Sequence, residues 1–216
     1  MDKKLDYDVI VIPGGPIHFT DVPAYVVKLF HLKNAPIIIS GAKIQTDFLY
    51  DQLKERLSEL GYDPKEWVLN ETDILKRYYR ISTDEEYENY SPRTTIQNAY
   101  CTKLIVRGKN LGDKVVVVRA DYHERASGEF EFVFGPKYEI IDHAVRTNIP
   151  QPERLARILH EKVATIQNLF LSHKTPGDDA GIYSADKRID PIFKKIQIAE
   201  EFLFDVVLPL ARRLGS

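Results

Sequence analysis

Asp121, His123 and Arg125 fall within five residues, directly after the apolar run Val115–Val118. An ionised aspartate accepts hydrogen bonds, a histidine exchanges a proton near neutral pH, and an arginine grips an anion through a fixed fork of donors. The trio is therefore an acid, a base and a cation in one short segment. Four successive valines fit a pleat and are poor in a helix, so this run reads as a strand buried on both faces. Ligands of open parallel α/β sheets bind in the crevice outside the carboxyl ends of the strands, where strand order reverses. The competing reading makes Asp121 a helix cap and Arg125 a solvated first turn.

The same pattern of short β-branched run and polar punctuation recurs upstream. Val9–Ile12 ends in Pro13, Gly14 and Gly15, a turn whose amides can approach an anion closely. Neither a dinucleotide fingerprint nor a P-loop follows it. Ile37–Ile39 ends in Ser40 and Gly41, which parallel strands would place on the rim of Gly14 and Gly15. Trp67–Leu69 is a short third candidate that would deliver Asn70 and Glu71. The most informative helix opening is Ser91-Pro92-Arg93-Thr94-Thr95-Ile96-Gln97-Asn98. Ser91 suits an N-cap and Pro92 the first helical position. Arg93, Thr94, Thr95 and Asn98 exceed what capping needs, and a helix N-terminus with an added arginine favours an anion.

Helices are needed to connect these strands. Thr20 or Asp21 can cap one running to about Leu32, and Thr46 can start another that Gly61 closes. Ala126, Phe130, Val133 and Phe134 make a helix ending at Gly135-Pro136, after which Tyr138–Ile141 reads as an edge or fifth strand with Asp142 and His143 at its end. The expected fold is a Rossmann-like three-layer α/β/α sandwich with a mainly parallel sheet of about five strands, plus C-terminal helices. Residues 1–150 form that domain. Within it, 73–90 carries Tyr78, Tyr79, Tyr87 and Tyr90 among many charges and no clear period, an excursion suited to a lid or equally to a surface hairpin or an oligomer contact. Residues 151–216 hold a helix from Pro152 and a last one from Asp190-Pro191, whose broad apolar face needs the sheet or another subunit of a homo-oligomer to cover it.

The order Gly-Gly, Ser-Gly, Ser-x-Arg-Thr-Thr-x-x-Asn and Asp-Tyr-His-x-Arg resembles the DUF218 family, also called YdcF-like, over about residues 7–145. The resemblance implies a Rossmann-like sandwich and a polar cleft, in a family largely without assigned activities. It implies cleft positions at Gly14, Gly15, Ser40, Gly41, Glu71, Ser91, Thr94, Asn98, Tyr122, His123 and Arg125. This chain departs from the family pattern at Ala42, in having nothing basic in the first helix before Lys28, and in the 73–90 excursion. It also lacks the N-terminal hydrophobic helix of membrane-anchored relatives.

Composition bounds the function. With 216 residues, 44% of them hydrophobic, and no apolar run approaching a membrane span, one sizeable core is expected. A net charge of -2 gives no reason to propose a nucleic-acid or bilayer partner. The opening Met-Asp-Lys-Lys-Leu-Asp lacks a signal-peptide pattern, so a cytoplasmic setting is expected. The single cysteine, Cys101, excludes an intramolecular disulfide and a cysteine-based zinc cage.

Two functions fit. In the first, the protein is a hydrolase or transferase for a small anionic, phosphorylated or nucleotide-like metabolite. Arg93, Arg125 and the amides of Gly14-Gly15 and Ser91–Thr94 hold the anion, and His123 with Asp121 or Glu71 moves protons. Neither Ser40 nor Ser91 has a nucleophile-elbow context, so no nucleophile is placed. In the second, the crevice binds a nucleotide-like ligand such as an adenosyl compound without catalysis. Asp121 and His123 alone fall short of a catalytic metal's ligand set, and no metal or other cofactor is assigned.

Overall fold

The computed structural model describes residues 5–14, 20–41, 43–70, 94–149, 151–164 and 174–182. Gly15, Glu71, Ser91 and Arg93, the 73–90 excursion and the C-terminal helix from Asp190 lie outside the described residues. The chain divides into two compact units, Met1–Asn148 and Ile149–Ser216.

The first unit is built on five parallel strands: β1 (Val9–Pro13), β2 (Ile37–Ser40), β3 (Val68–Asn70), β4 (Lys114–Ala120) and β5 (Glu139–Val145). Their order is β3-β2-β1-β4-β5, so the chain adds strands on one side of β1 and then crosses back to the other. Helices α1 (Asp21–Lys33), α2 (Lys43–Glu59), α3 (Pro64–Trp67), α4 (Thr95–Lys109) and α5 (Arg125–Phe134) connect them and cover both faces of the sheet. This is the expected α/β Rossmann-like architecture, with all five strands parallel.

Burial on both faces explains why the central strands are continuous apolar runs. Val9, Ile10, Val11 and Val115–Val118 are completely buried, and each such side chain contributes about 1.5–3 kcal/mol of hydrophobic stabilisation. Tyr7 joins this core at the foot of β1, its hydroxyl donating to Leu29 O at 2.6 Å. At the amino ends of the strands, Asp8 Oδ2 accepts from the N–H groups of Asp113 (3.2 Å) and Lys114 (3.1 Å), fixing the start of β4 beside β1.

Several local expectations need correction. β5 runs through Asp142 and His143 to Val145, because Arg119 donates from Nε and Nη2 to both carboxylate oxygens of Asp142, each at 2.7 Å, holding the strand pair together past Ile141. Neither Thr20 nor Asp21 caps α1 with its side chain: Thr20 has helical dihedrals, and the Asp21 carboxylate accepts from Asn148 N at 3.1 Å. Trp67 closes α3 and does not begin β3, its ring meeting Phe30 edge-on at 5.1 Å. Helix α4 starts at Thr95, with Thr94 and not Ser91 as its cap.

The second unit contains α6 (Gln151–Ala164), which begins one residue before the expected Pro152. Its Leu155 and Leu159 are 59% and 55% exposed. In the following turn, Asp178 Oδ1 accepts from Gly181 N at 3.1 Å. Among the described residues, no helix is long and apolar enough to cross a membrane.

Candidate functional site

Strand order reverses between β1 and β4, since β1 leads to β2 on one side while β4 is reached only by the later crossover. The crevice outside their carboxyl ends is where an open parallel sheet leaves room for a ligand. Gly14 leaves β1 there, next to the end of β2, because Pro13 is in register with Ser40. Ala120 ends β4 there as well.

Helix α4 brings its N-terminus to the same rim. Thr94 has extended dihedrals and its side chain accepts from Gln97 N at 3.1 Å, the bond expected of an N-cap. Asn98 stands four residues after Thr94 and three after Thr95, so it lies one turn along from both. All three are buried, with Thr94 and Thr95 each 5% exposed and Asn98 6%. Ser40, fully buried at the end of β2, donates from Oγ to Asn98 O at 3.0 Å. This bond docks the first turn of α4 on the sheet.

The trio after β4 diverges. His123 N donates to Ala120 O at 3.0 Å, a turn that swings the imidazole toward α4, where Nε2 lies 3.3 Å from Thr95 Oγ1. Asp121 is drawn toward the exit of β5: its N donates to Val145 O at 2.9 Å, and its Oδ1 accepts from Thr147 Oγ1 at 2.9 Å. Arg125 begins α5 and donates from Nη1 to Glu129 Oε1 at 2.7 Å, an ion pair whose side chains are only 7% and 2% exposed. Tyr122 is buried between these residues in sequence.

No family model, curated protein or solved structure matches the chain.

Of the sequence-derived site residues, Gly14, Ser40, Thr94, Thr95, Asn98 and His123 are gathered at the ends of β1, β2 and β4 and the start of α4. Gly41 follows Ser40 directly and is buried. Asp121 and Arg125 are tied to partners that the sequence reading did not name, Thr147 and Glu129. Thr147 has no motif signal of its own. Glu129 could have been found as the acid four residues after Arg125 on a helix, a spacing that brings side chains together. His143, within β5, stacks on Tyr25 of α1 with ring centroids 4.2 Å apart. Burial there lowers its pKa below the usual histidine value, with nearby Asp142 opposing the shift.

Chemically, the rim offers a hydroxyl in contact with an imidazole at the positive end of a helix dipole. The N–H groups of Thr95 and Ile96, the first two of α4, make no hydrogen bond among the described residues. Such amides bind oxyanions, and the dipole adds to that preference.

Proposed function

We propose that the crevice outside β1 and β4 binds a small anionic, phosphorylated or nucleotide-like metabolite, and that the protein is a hydrolase or transferase in which His123 carries the proton. The approach of His123 Nε2 to Thr95 Oγ1 at the open end of α4 carries this reading. It joins an imidazole, a side chain able to carry a proton, to a set of anion-binding amides at a strand-order reversal. The reading includes membership of the DUF218 family, supported by the order of Gly14, Ser40-Gly41, Thr94, Asn98 and Tyr122-His123 along the chain, and a cytoplasmic setting.

Thermal melts of the full chain with inorganic phosphate, AMP, ATP and an adenosyl compound, followed by product analysis for any ligand that stabilises it, test the proposal. An enzyme should turn over one of the stabilising compounds, and His123→Ala should lower that turnover by roughly 10²-fold or more while leaving the melt shift largely in place. If His123→Ala alters only the melt shift and no product forms, the crevice belongs to a non-catalytic binder. Stabilisation by none of the anions would end both readings.

A further inference from the structure

We propose that Thr95 is the nucleophile of this site, with His123 as its general base. The inference rests on the reading of the crevice as an active site, and it fills the gap left by Ser40 and Ser91. Ser40 is unsuited to the role because its hydroxyl is spent on Asn98 O inside the sheet.

The separation of Thr95 Oγ1 from His123 Nε2, 3.3 Å, is within the range of a nucleophile and base before substrate tightens the pair. Both side chains are enclosed, at 5% and 9% exposure, where a proton transfer competes less with water. With the imidazole proton on Nδ1, the hydroxyl donates to Nε2, the geometry needed to remove that proton. Thr95 also opens α4, so its own N–H and that of Ile96 lie beside its hydroxyl and point out of the helix end. Charge building on an oxygen of the reacting centre would meet these two donors.

A second observation marks the same stretch of α4 as more than a packing surface. Asn98 is 6% exposed and its Oδ1 has no hydrogen-bond partner among the described residues. Helical side chains lean toward the N-terminus, so Asn98 inclines over the turn that holds Thr94 and Thr95. Thr102, one further turn along and fully buried, likewise has no partner for Oγ1 among the described residues. Unmet buried polar groups of this kind destabilise a fold, and they are tolerated more often at functional sites than in plain cores.

The substrate class is a phosphate or carboxylate ester. In the first step Thr95 Oγ bonds to the phosphorus or acyl carbon while its proton passes to His123 Nε2. The bond to the leaving oxygen breaks, and that oxygen takes the proton from the imidazolium. Water then adds to the threonyl ester, giving its proton to Nε2. Thr95 Oγ departs with that proton, so the net reaction is hydrolysis, and an alcohol in place of water would make it a transfer.

Mechanism-based labelling tests this without knowledge of the substrate. The full chain is treated with a fluorophosphonate and a β-lactone, and adducts are located by intact mass and peptide mapping. Attack on the fluorophosphonate forms the Thr95 Oγ–P bond and expels fluoride. A single adduct on Thr95 is expected, absent from Thr95→Ala, restored in Thr95→Ser, and formed at least about a hundredfold more slowly in His123→Asn. A labelling rate unchanged in His123→Asn would overturn the assignment, as would an adduct on any other residue. So would absence of labelling in a protein that phosphate or nucleotides still stabilise, which would leave the crevice as a binding site in which Thr95 only orients the imidazole. Absence of both labelling and stabilisation would remove the active-site reading as well.

Discussion

Asp121 Oδ1 accepts two hydrogen bonds from Thr147, one from its hydroxyl at 2.9 Å and one from its N–H at 3.3 Å. The acid that follows β4 is thereby clamped to the segment that leaves β5, and the turn carrying His123 is held from both ends. Replacing Thr147 by valine keeps the shape and deletes one donor to a carboxylate in a site where Thr147 is 3% exposed. A loss of roughly 1–3 kcal/mol is expected in urea unfolding, with Thr147→Ser retaining most of the stability. An unchanged midpoint in Thr147→Val would show that this clamp adds nothing to the fold.

Gly112 has φ +98, and a Cβ placed on it would collide with the Asp8 carboxylate. Gly112→Ala should therefore cost roughly 1–3 kcal/mol from backbone strain, plus whatever displacement of the Asp8 carboxylate adds. Because Asp8 holds the N–H groups of Asp113 and Lys114, that displacement also loosens the start of β4. Asp8→Ala removes the collision together with the anchor. The double variant should lose less stability than the sum of the two single changes, by about 0.5–3 kcal/mol, in a chemical denaturation cycle.

The carboxyl of Asp6 is held down to a pKa of about 2 from its ordinary 3.8, first by the hydrogen bond from Lys114 and then by that from Lys33. A folded-state pKa below the unfolded one contributes stability that is present above pH 3.8 and is lost as the pH falls toward 2. Asp6 is 63% exposed, so salt should screen the effect. Asp6→Asn is expected to flatten the pH dependence of stability between pH 4 and pH 2 in low salt, and to matter less in about 1 M salt. Wild type and variant losing stability in parallel across that window would remove Asp6 from the account of acid unfolding.

The fold was readable because its main signal is local. Val115–Val118 and Val9–Ile12 declare two-sided burial by being apolar at every position, which only a central parallel strand requires. β5 declared itself less well, since an edge strand mixes Asp142 and His143 into its length and alternates between half-buried and exposed. The start of α4 was placed too early for a different reason: Ser91-Pro92 has the chemistry of a cap and first helical residue, and local chemistry does not rank it below Thr94.

Site residues were legible by type and position, while their pairings were not. The Asp121, His123 and Arg125 group reads as one working set in one dimension. In three dimensions a turn follows the strand, and the three side chains leave toward β5, α4 and the interior of α5. The contact between His123 and Thr95 spans 28 positions and depends on how α4 crosses the sheet, information that no short window contains. Thr95 itself was hidden among several polar neighbours at one helix opening.

The placement of β1 bears on how the chain is made. It is the earliest strand to be synthesised, yet it belongs in the middle of the sheet, where Val9 is in register with Val115. Until β4 has left the ribosome, one edge of β1 stays open with its apolar side chains half covered. Nascent chains stopped before residue 114 should then be the aggregation-prone and chaperone-bound species, and protection of β1 amides should arise only as β4 docks.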